Sequence, residues 1–248
     1  MNKILVIGDV HGKFDILIKY IKNAIQEHGT FSHIIQLGDF GYWPDDIKFK
    51  TLTPFFKDFL EEIRIPFLWI DGNHEDHSVL QSITSKNEKE FIKTHNNYLS
   101  TYAFYKKRGS YMTIENKILF FIGGAKSIDR LTRTLMYDYF LDEEITREQS
   151  HEILQAAEKL LKEKKDIYIF THTIPFDEKI DSIFRIYKKE TTWHNKFLYE
   201  ILMNLKPVKW YHGHFHMDFD YKLPGFDTEF YSVDLVDKKK FGYRILEI

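Results

Sequence analysis

Five short polar clusters carry the residues best suited to chemistry: Asp9-Val10-His11, Gly38-Asp39, Gly72-Asn73-His74-Glu75, Thr171-His172-Thr173 and Gly213-His214-Phe215-His216. Carboxylate, imidazole and amide oxygen together suit Mn, Fe, Zn or Ni better than Ca. The chain has 0 cysteines, which excludes disulfides and thiolate metal sites. Asp9 and His11 are two residues apart, and in an extended segment both side chains can face one cation. His214 and His216 repeat that spacing. A carboxylate has lone pairs enough to bridge two cations, and Asp39 is the natural candidate. Taken alone, each cluster has an ordinary reading: Asp after Gly is a turn residue, Asn73-His74 caps a helix, His172 is a hydrogen-bonded structural histidine, and Gly213 marks a bulge.

Position is what joins them, because each cluster follows a segment of strand character. Lys3 to Gly8 is a continuous apolar run, as in a strand buried on both faces. His33 to Leu37, Phe67 to Ile70, Asp166 to Phe170 and Val208 to His212 precede the other four clusters. Between them, Phe14, Leu17, Ile18, Ile21, Ala24 and Ile25 recur at helical spacing before a stop at Gly29. Further helices are predicted over Thr53 to Ile63, Thr146 to about Lys164 (opened by a Thr146/Gln149 cap) and Thr192 to Leu205. Alternation of this kind predicts parallel strands with ligands at their carboxyl ends.

Tyr102 to Tyr105, Ser110 to Glu115 and Lys117 to Ile122 read as strands, and Ser127 to Asp142 as a loop. The tail, Phe215 to Tyr221, Glu229 to Val236 and Phe241 to Glu247, reads as antiparallel strands. No repeat or linker divides the chain, so residues 1–248 are expected to form one α/β domain with two sheets.

Composition narrows the partners. With 35 Lys+Arg against 37 Asp+Glu, the net charge of -2 gives no field to gather nucleic acid or an anionic membrane. The basic runs Lys106-Lys107-Arg108, Lys162 to Lys165 and Lys238 to Lys240 are read as solvated turns or helix ends. The first apolar run ends at Asp9, too early for a signal core or a membrane span, so a cytoplasmic location is expected.

In their order, the five clusters resemble the calcineurin-like metallophosphoesterase superfamily, whose pattern is D-x-H, GD, GNH plus an acid, a lone His, and GHxH. The arginine that phosphoprotein phosphatases and bis-nucleoside tetraphosphatases carry after the second motif is missing from Gly38 to Asp46, which counts against those activities. Gly123-Gly124-Ala125-Lys126-Ser127 with Tyr42-Trp43 resembles small bacterial and phage-borne members. The resemblance implies two packed mixed β-sheets flanked by helices, an αββα sandwich. It implies two divalent transition-metal ions, Mn2+ foremost with Fe, Zn or Ni as alternatives. One would take Asp9, His11, Asp39 and His216, and the other Asp39, Asn73, His172 and His214. His74 would be the catalytic histidine, with Glu75 or Asp76 orienting it and His212 behind the ligands.

The implied reaction is hydrolysis of a small phosphomonoester or phosphodiester, nucleotides included, by a metal-activated hydroxide. Arg130 and Arg133 are candidates to grip phosphate, with surface solvation as the alternative. Tyr42 and Trp43, with Phe176 and Trp193, are candidates to stack on a base. Two other readings compete. A metal-dependent nuclease lacks an extended basic stripe with interleaved aromatics. A catalytically silent scaffold of the same fold should have lost ligands, yet all the motif positions are intact.

Overall fold

The computed structural model describes residues 2–80, 100–127, 129–135, 137–175, 192–237 and 242–248. Phe176, the Lys238 to Lys240 run and the start of the last expected strand at Phe241 lie outside them. Within the first sheet run β1 (Lys3–Ile7), β2 (His33–Gln36), β3 (Phe67–Trp69) and β4 (Ala103–Tyr105), all parallel, with β11 (Tyr243–Glu247) antiparallel on the outer side of β1. The second sheet has the order β5 (Ser110–Ile114), β6 (Lys117–Ile122), β7 (Asp166–Thr171), β8 (Lys209–His212), β10 (Glu229–Ser232), β9 (Phe219–Lys222). The tail therefore differs from its expected reading: β10 pairs parallel to β8, while β9 and β11 are antiparallel to their neighbours.

Side-chain alternation explains the layers. Ile4 and Val6 of β1, Ile35 of β2, Leu119 and Phe121 of β6, and Tyr168 and Phe170 of β7 meet in one buried cluster between the sheets. Their neighbours Leu5 and Ile7 face outward onto α1 (Phe14–His28) and α2 (Ile47–Ile63). Ile118, Phe120, Ile167 and Ile169 face α4 (Arg147–Leu161) and α5 (Trp193–Leu205) across the other outer layer, and a one-turn α3 spans His77–Leu80. Strands covered on both faces need apolar residues at every position, which is why the strands read as unbroken runs.

Helix α1 stops at Gly29 as expected, and both the Thr146/Gln149 cap of α4 and a Thr192/Asn195 cap of α5 are formed. Helix α2 begins at Ile47, ahead of the expected Thr53. Asp46 caps it by accepting from Phe49 N, and Phe49 is buried against Phe14. That packing outweighs the interior Pro54, which a reading by propensity places in the first turn. No helix among the described residues is long and apolar enough to cross a membrane.

Candidate active site

The five clusters leave the carboxyl ends of β1, β2, β3, β7 and β8, and meet at one edge of the two sheets. The backbone does not stay extended there. His11, Asp39, His214 and His216 have φ of 50°, 51°, 70° and 52°, a left-handed conformation that costs a non-glycine residue roughly 1 kcal/mol or more. The extended spacing expected for the D-x-H and H-x-H pairs is thus replaced by turns. Neighbouring loops hold those turns: Val10 N and His11 N both donate to Asp39 O, at 2.9 and 2.7 Å.

Each buried carboxylate has one oxygen tied to backbone and the other turned to the site. Asp39 Oδ1 accepts from Asn73 N and His74 N at 2.8 and 2.7 Å, and Asp9 Oδ1 from His214 N at 3.0 Å. Asp9 Oδ2 lies 3.0 Å from His216 Nε2 and 3.8 Å from His11 Nε2, without a well-aligned hydrogen bond. Asp39 Oδ2 lies 3.8 Å from His11 Nε2 and 3.9 Å from His74 Nε2. His11 Nε2 and His216 Nε2 face each other at 3.1 Å. Asp9, His11 and His216 thus offer donor atoms within 4.8 Å of one another, as do Asp39, His172 and His214, and also His11, Asp39 and His74.

His172 tests whether a cation fits. Its Nδ1 donates to Leu37 O at 2.7 Å, so Nε2 is left facing two acceptors, Asp39 Oδ1 at 3.4 Å and Asn73 Oδ1 at 3.2 Å. Only a proton or a cation can sit comfortably among those three atoms. Burial disfavours charge on the ring, but the carboxylates of Asp39 and Asp9 outweigh it and push His172 up to about 10. Burial likewise opposes charge on Asp39, yet the imidazoles of His172, His74 and His11 hold it well below the usual carboxylate range. His214 is pushed by burial, with His172 adding, down to about 3, which leaves a neutral imidazole as a metal requires. The donor set fits divalent transition metals.

Beside this donor set, Arg133 Nη2 donates to His74 Nε2 at 2.8 Å, while Arg133 Nε pairs with Asp129 at 2.7 Å. Burial first, and then His11 and Arg133, lower the His74 pKa against the pull of Asp39. Trp43 is half-buried, and its Nε1 donates to His74 O at 3.2 Å. A cleft of about 710 Å³ opens from His11 and His74 along Trp43, Ile47, Tyr137 and Phe140. Tyr42, expected to touch substrate, is fully buried against Phe49 and Trp69 and supports the cleft from below. Arg130 is exposed on a 3-10 turn, and Trp193 is 45% exposed at the start of α5.

Several supporting residues differ from their sequence reading or escape it. Glu75 turns away from the His74 ring to accept from Gly72 N and Gly41 N, and Asp76 accepts from Ser78 Oγ and Val79 N, so neither acid orients the ring. His212 lies behind the GHxH loop as expected, its Nδ1 3.1 Å from Gly213 O and its Nε2 2.9 Å from Tyr221 Oη. Arg108, read as part of a solvated basic run, is 4% exposed and pairs with buried Asp71. Ser127 and Glu143 complete a buried set around Asn73. Burial pushes Glu143 up to about 7, against two donors from Ser127. A charged residue in a polar loop carries no local signal of burial, so the sequence alone gives no reason to select these groups.

Residues 2–218 match the family model described as calcineurin-like phosphoesterase. No curated protein sequence matches the chain. Among solved structures, it resembles GAP50, the anchor in the inner membrane complex of Plasmodium, at 12% identity and TM-score 0.53, covering 98% of this chain and 80% of that one. It resembles a candidate 5'-nucleotidase from Staphylococcus aureus at 12% identity and TM-score 0.55, covering 99% of this chain and 50% of that one. Against phosphopantetheinyl hydrolase from Mycobacterium tuberculosis the figures are 14%, 0.50, 99% and 95%. At such identities the likeness is one of fold.

Proposed function

Since this chain belongs to the calcineurin-like phosphoesterase family and is a phosphoric ester hydrolase, we propose that it cleaves a small phosphomonoester or phosphodiester, nucleotides included, at a two-cation site. Asp9, His11, Asp39 and His216 would hold one cation, and Asp39, Asn73, His172 and His214 the other, with Mn2+ foremost and Fe, Zn or Ni as alternatives. The observation that carries this reading is the pair of donor groups with Asp39 between them. When bound, two such cations supply charge to the phosphoryl oxygens and lower the pKa of a water poised to attack phosphorus.

The chain's own residues do the rest. Arg133 Nη2 leaves His74 Nε2 for a phosphoryl oxygen, where a guanidinium makes a charge-assisted bond. The arriving negative charge raises the His74 pKa, so that its Nε2 carries the proton for the leaving oxygen. Trp43, by holding His74 O, keeps that ring over the cleft. The cleft volume suits a nucleoside-sized leaving group. Asp45, Asp46 and Asp76 on its walls disfavour a polyanion, which counts against the nuclease reading.

His74→Ala is the test. After Mn2+ reconstitution, turnover of p-nitrophenyl and bis-p-nitrophenyl phosphate should fall roughly 100-fold or more while bound metal stays unchanged. Undiminished turnover sinks the role of His74. A wild type that holds no metal and cleaves neither compound after Mn2+ addition favours the scaffold reading.

A further inference from the structure

The loop that carries Asn73 is held by one closed circuit of buried side chains. Asp71, two residues before Asn73, accepts from Arg108 Nε at 2.8 Å and from Tyr105 Oη at 3.0 Å. Arg108 directs its other donors to the carbonyls of Asp142, Glu143 and Glu144 and to Gln149 Oε1, each at 2.9 Å. That grip fixes Glu143, which is 1% exposed. Its carboxylate accepts from Ser127 N at 2.6 Å and from Ser127 Oγ at 2.7 Å. Ser127 Oγ then accepts from Asn73 Nδ2 at 3.1 Å, and the circuit returns to its starting loop. Gly124, with φ +88°, leaves room for it, since a Cβ there would meet Glu143 O at 2.6 Å and Arg108 Nη2 at 2.7 Å.

Donor counting gives this circuit a direction. At pH 8, above the value of about 7 to which burial pushes Glu143, the carboxylate only accepts. Glu143 takes the one proton of the Ser127 hydroxyl, so Ser127 presents lone pairs to Asn73. Only the NH2 end of the amide can meet them. Oδ1 is thereby turned to the space it shares with His172 Nε2, 3.2 Å away. A metal ion binds the oxygen of an amide and not its NH2, so this orientation decides whether Asn73 is a ligand. We propose that Glu143 is a positioning residue that, through Ser127, locks Asn73 in the one orientation that offers oxygen to a cation. The inference rests on the two-cation reading above.

Glu143→Gln reverses the polarity at nearly constant shape. Ser127 N still requires an acceptor at the Oε1 position, so the new NH2 must face Ser127 Oγ. The Ser127 proton then points to Asn73, and the amide turns over. In titration calorimetry with Mn2+ at pH 8 under nitrogen, the wild type should bind two equivalents. E143Q should bind the first equivalent as before and the second roughly 10–100-fold more weakly. Adding Asn73→Asp should restore the second equivalent, because a carboxylate offers oxygen on both sides. Ser127→Ala, which removes the relay between Glu143 and Asn73, should weaken the second equivalent as well and carries the test if E143Q does not fold. A second equivalent bound as tightly as in the wild type, in E143Q or in Ser127→Ala, overturns the inference. So does a weakened second equivalent that Asn73→Asp fails to restore, which would indicate general loosening. A wild type that binds a single equivalent refutes the two-cation reading and this inference with it.

Discussion

At the residue scale, Arg133 and His74 form a pair whose members restrain each other. The guanidinium holds the His74 lone pair, and its charge adds to burial in lowering the His74 pKa. Arg133→Ala should cut kcat/KM roughly 10- to 100-fold, the worth of a hydrogen bond to a charged group. It should also move the basic limb of the pH profile upward, since a proton donor with a higher pKa keeps its proton to higher pH. Arg133→Lys should restore little, because an ammonium cannot reproduce the planar fork that spans Asp129 and His74. Steady-state kinetics across pH checks all three outcomes. The Asp and His residues that converge on the site were legible from the motifs, and Arg133, one of the two arginines singled out there, is the one that reaches His74. The place of Tyr42 was not legible, because an aromatic beside a glycine serves a core as readily as a cleft.

At the element scale, the strands that precede the five clusters were readable from their apolar runs, the Thr146/Gln149 capping pattern located the start of α4 within a residue, and α5 was located within a residue at its start. The insertion of β10 between β8 and β9 was not readable, because parallel and antiparallel strands share the same alternation and differ only in distant partners. Burial of Arg108 and Glu143 has the same origin: it is decided by Arg108 bridging Asp71 to the carbonyls of Asp142 and Glu143, with Gly124 N bonded to Asp71 O and Ala125 N to Glu143 O. One cap reaches toward the site. Asn195, bonded to Thr192, also donates to Ile174 O at 2.9 Å and so ties α5 to the loop after His172. Thr192→Ala should cost about 1 kcal/mol of stability, measured by urea denaturation, and loss of metal affinity should accompany it.

At the scale of the whole molecule, two of the three donor groups, Asp9/His11/His216 and Asp39/His172/His214, draw on both sheets. Asp9, His11 and Asp39 come from the first, and His172, His214 and His216 from the second. A bound cation therefore joins the two halves, and chelation with EDTA should lower Tm by about 5 °C or more when free metal is near 100 Kd. An unchanged Tm would show that the sheets hold without it. Buried imidazoles set the acid limit. Burial, then Arg108, pushes His77 down to about 4, and burial holds His194 well below its ordinary value of 6.5. Both are neutral when folded and take up a proton on unfolding. Their contribution is present above about pH 6.5 and is lost as pH falls toward 4, which denaturation curves of the metal-free protein should show. Pairing of β11 with β1, Lys3 against Glu247 through Ile7 against Tyr243, has a further consequence during synthesis. The earliest of these strands to leave the ribosome keeps an open edge until the last has been made, so the nascent chain needs shielding from neighbours that could add a strand there.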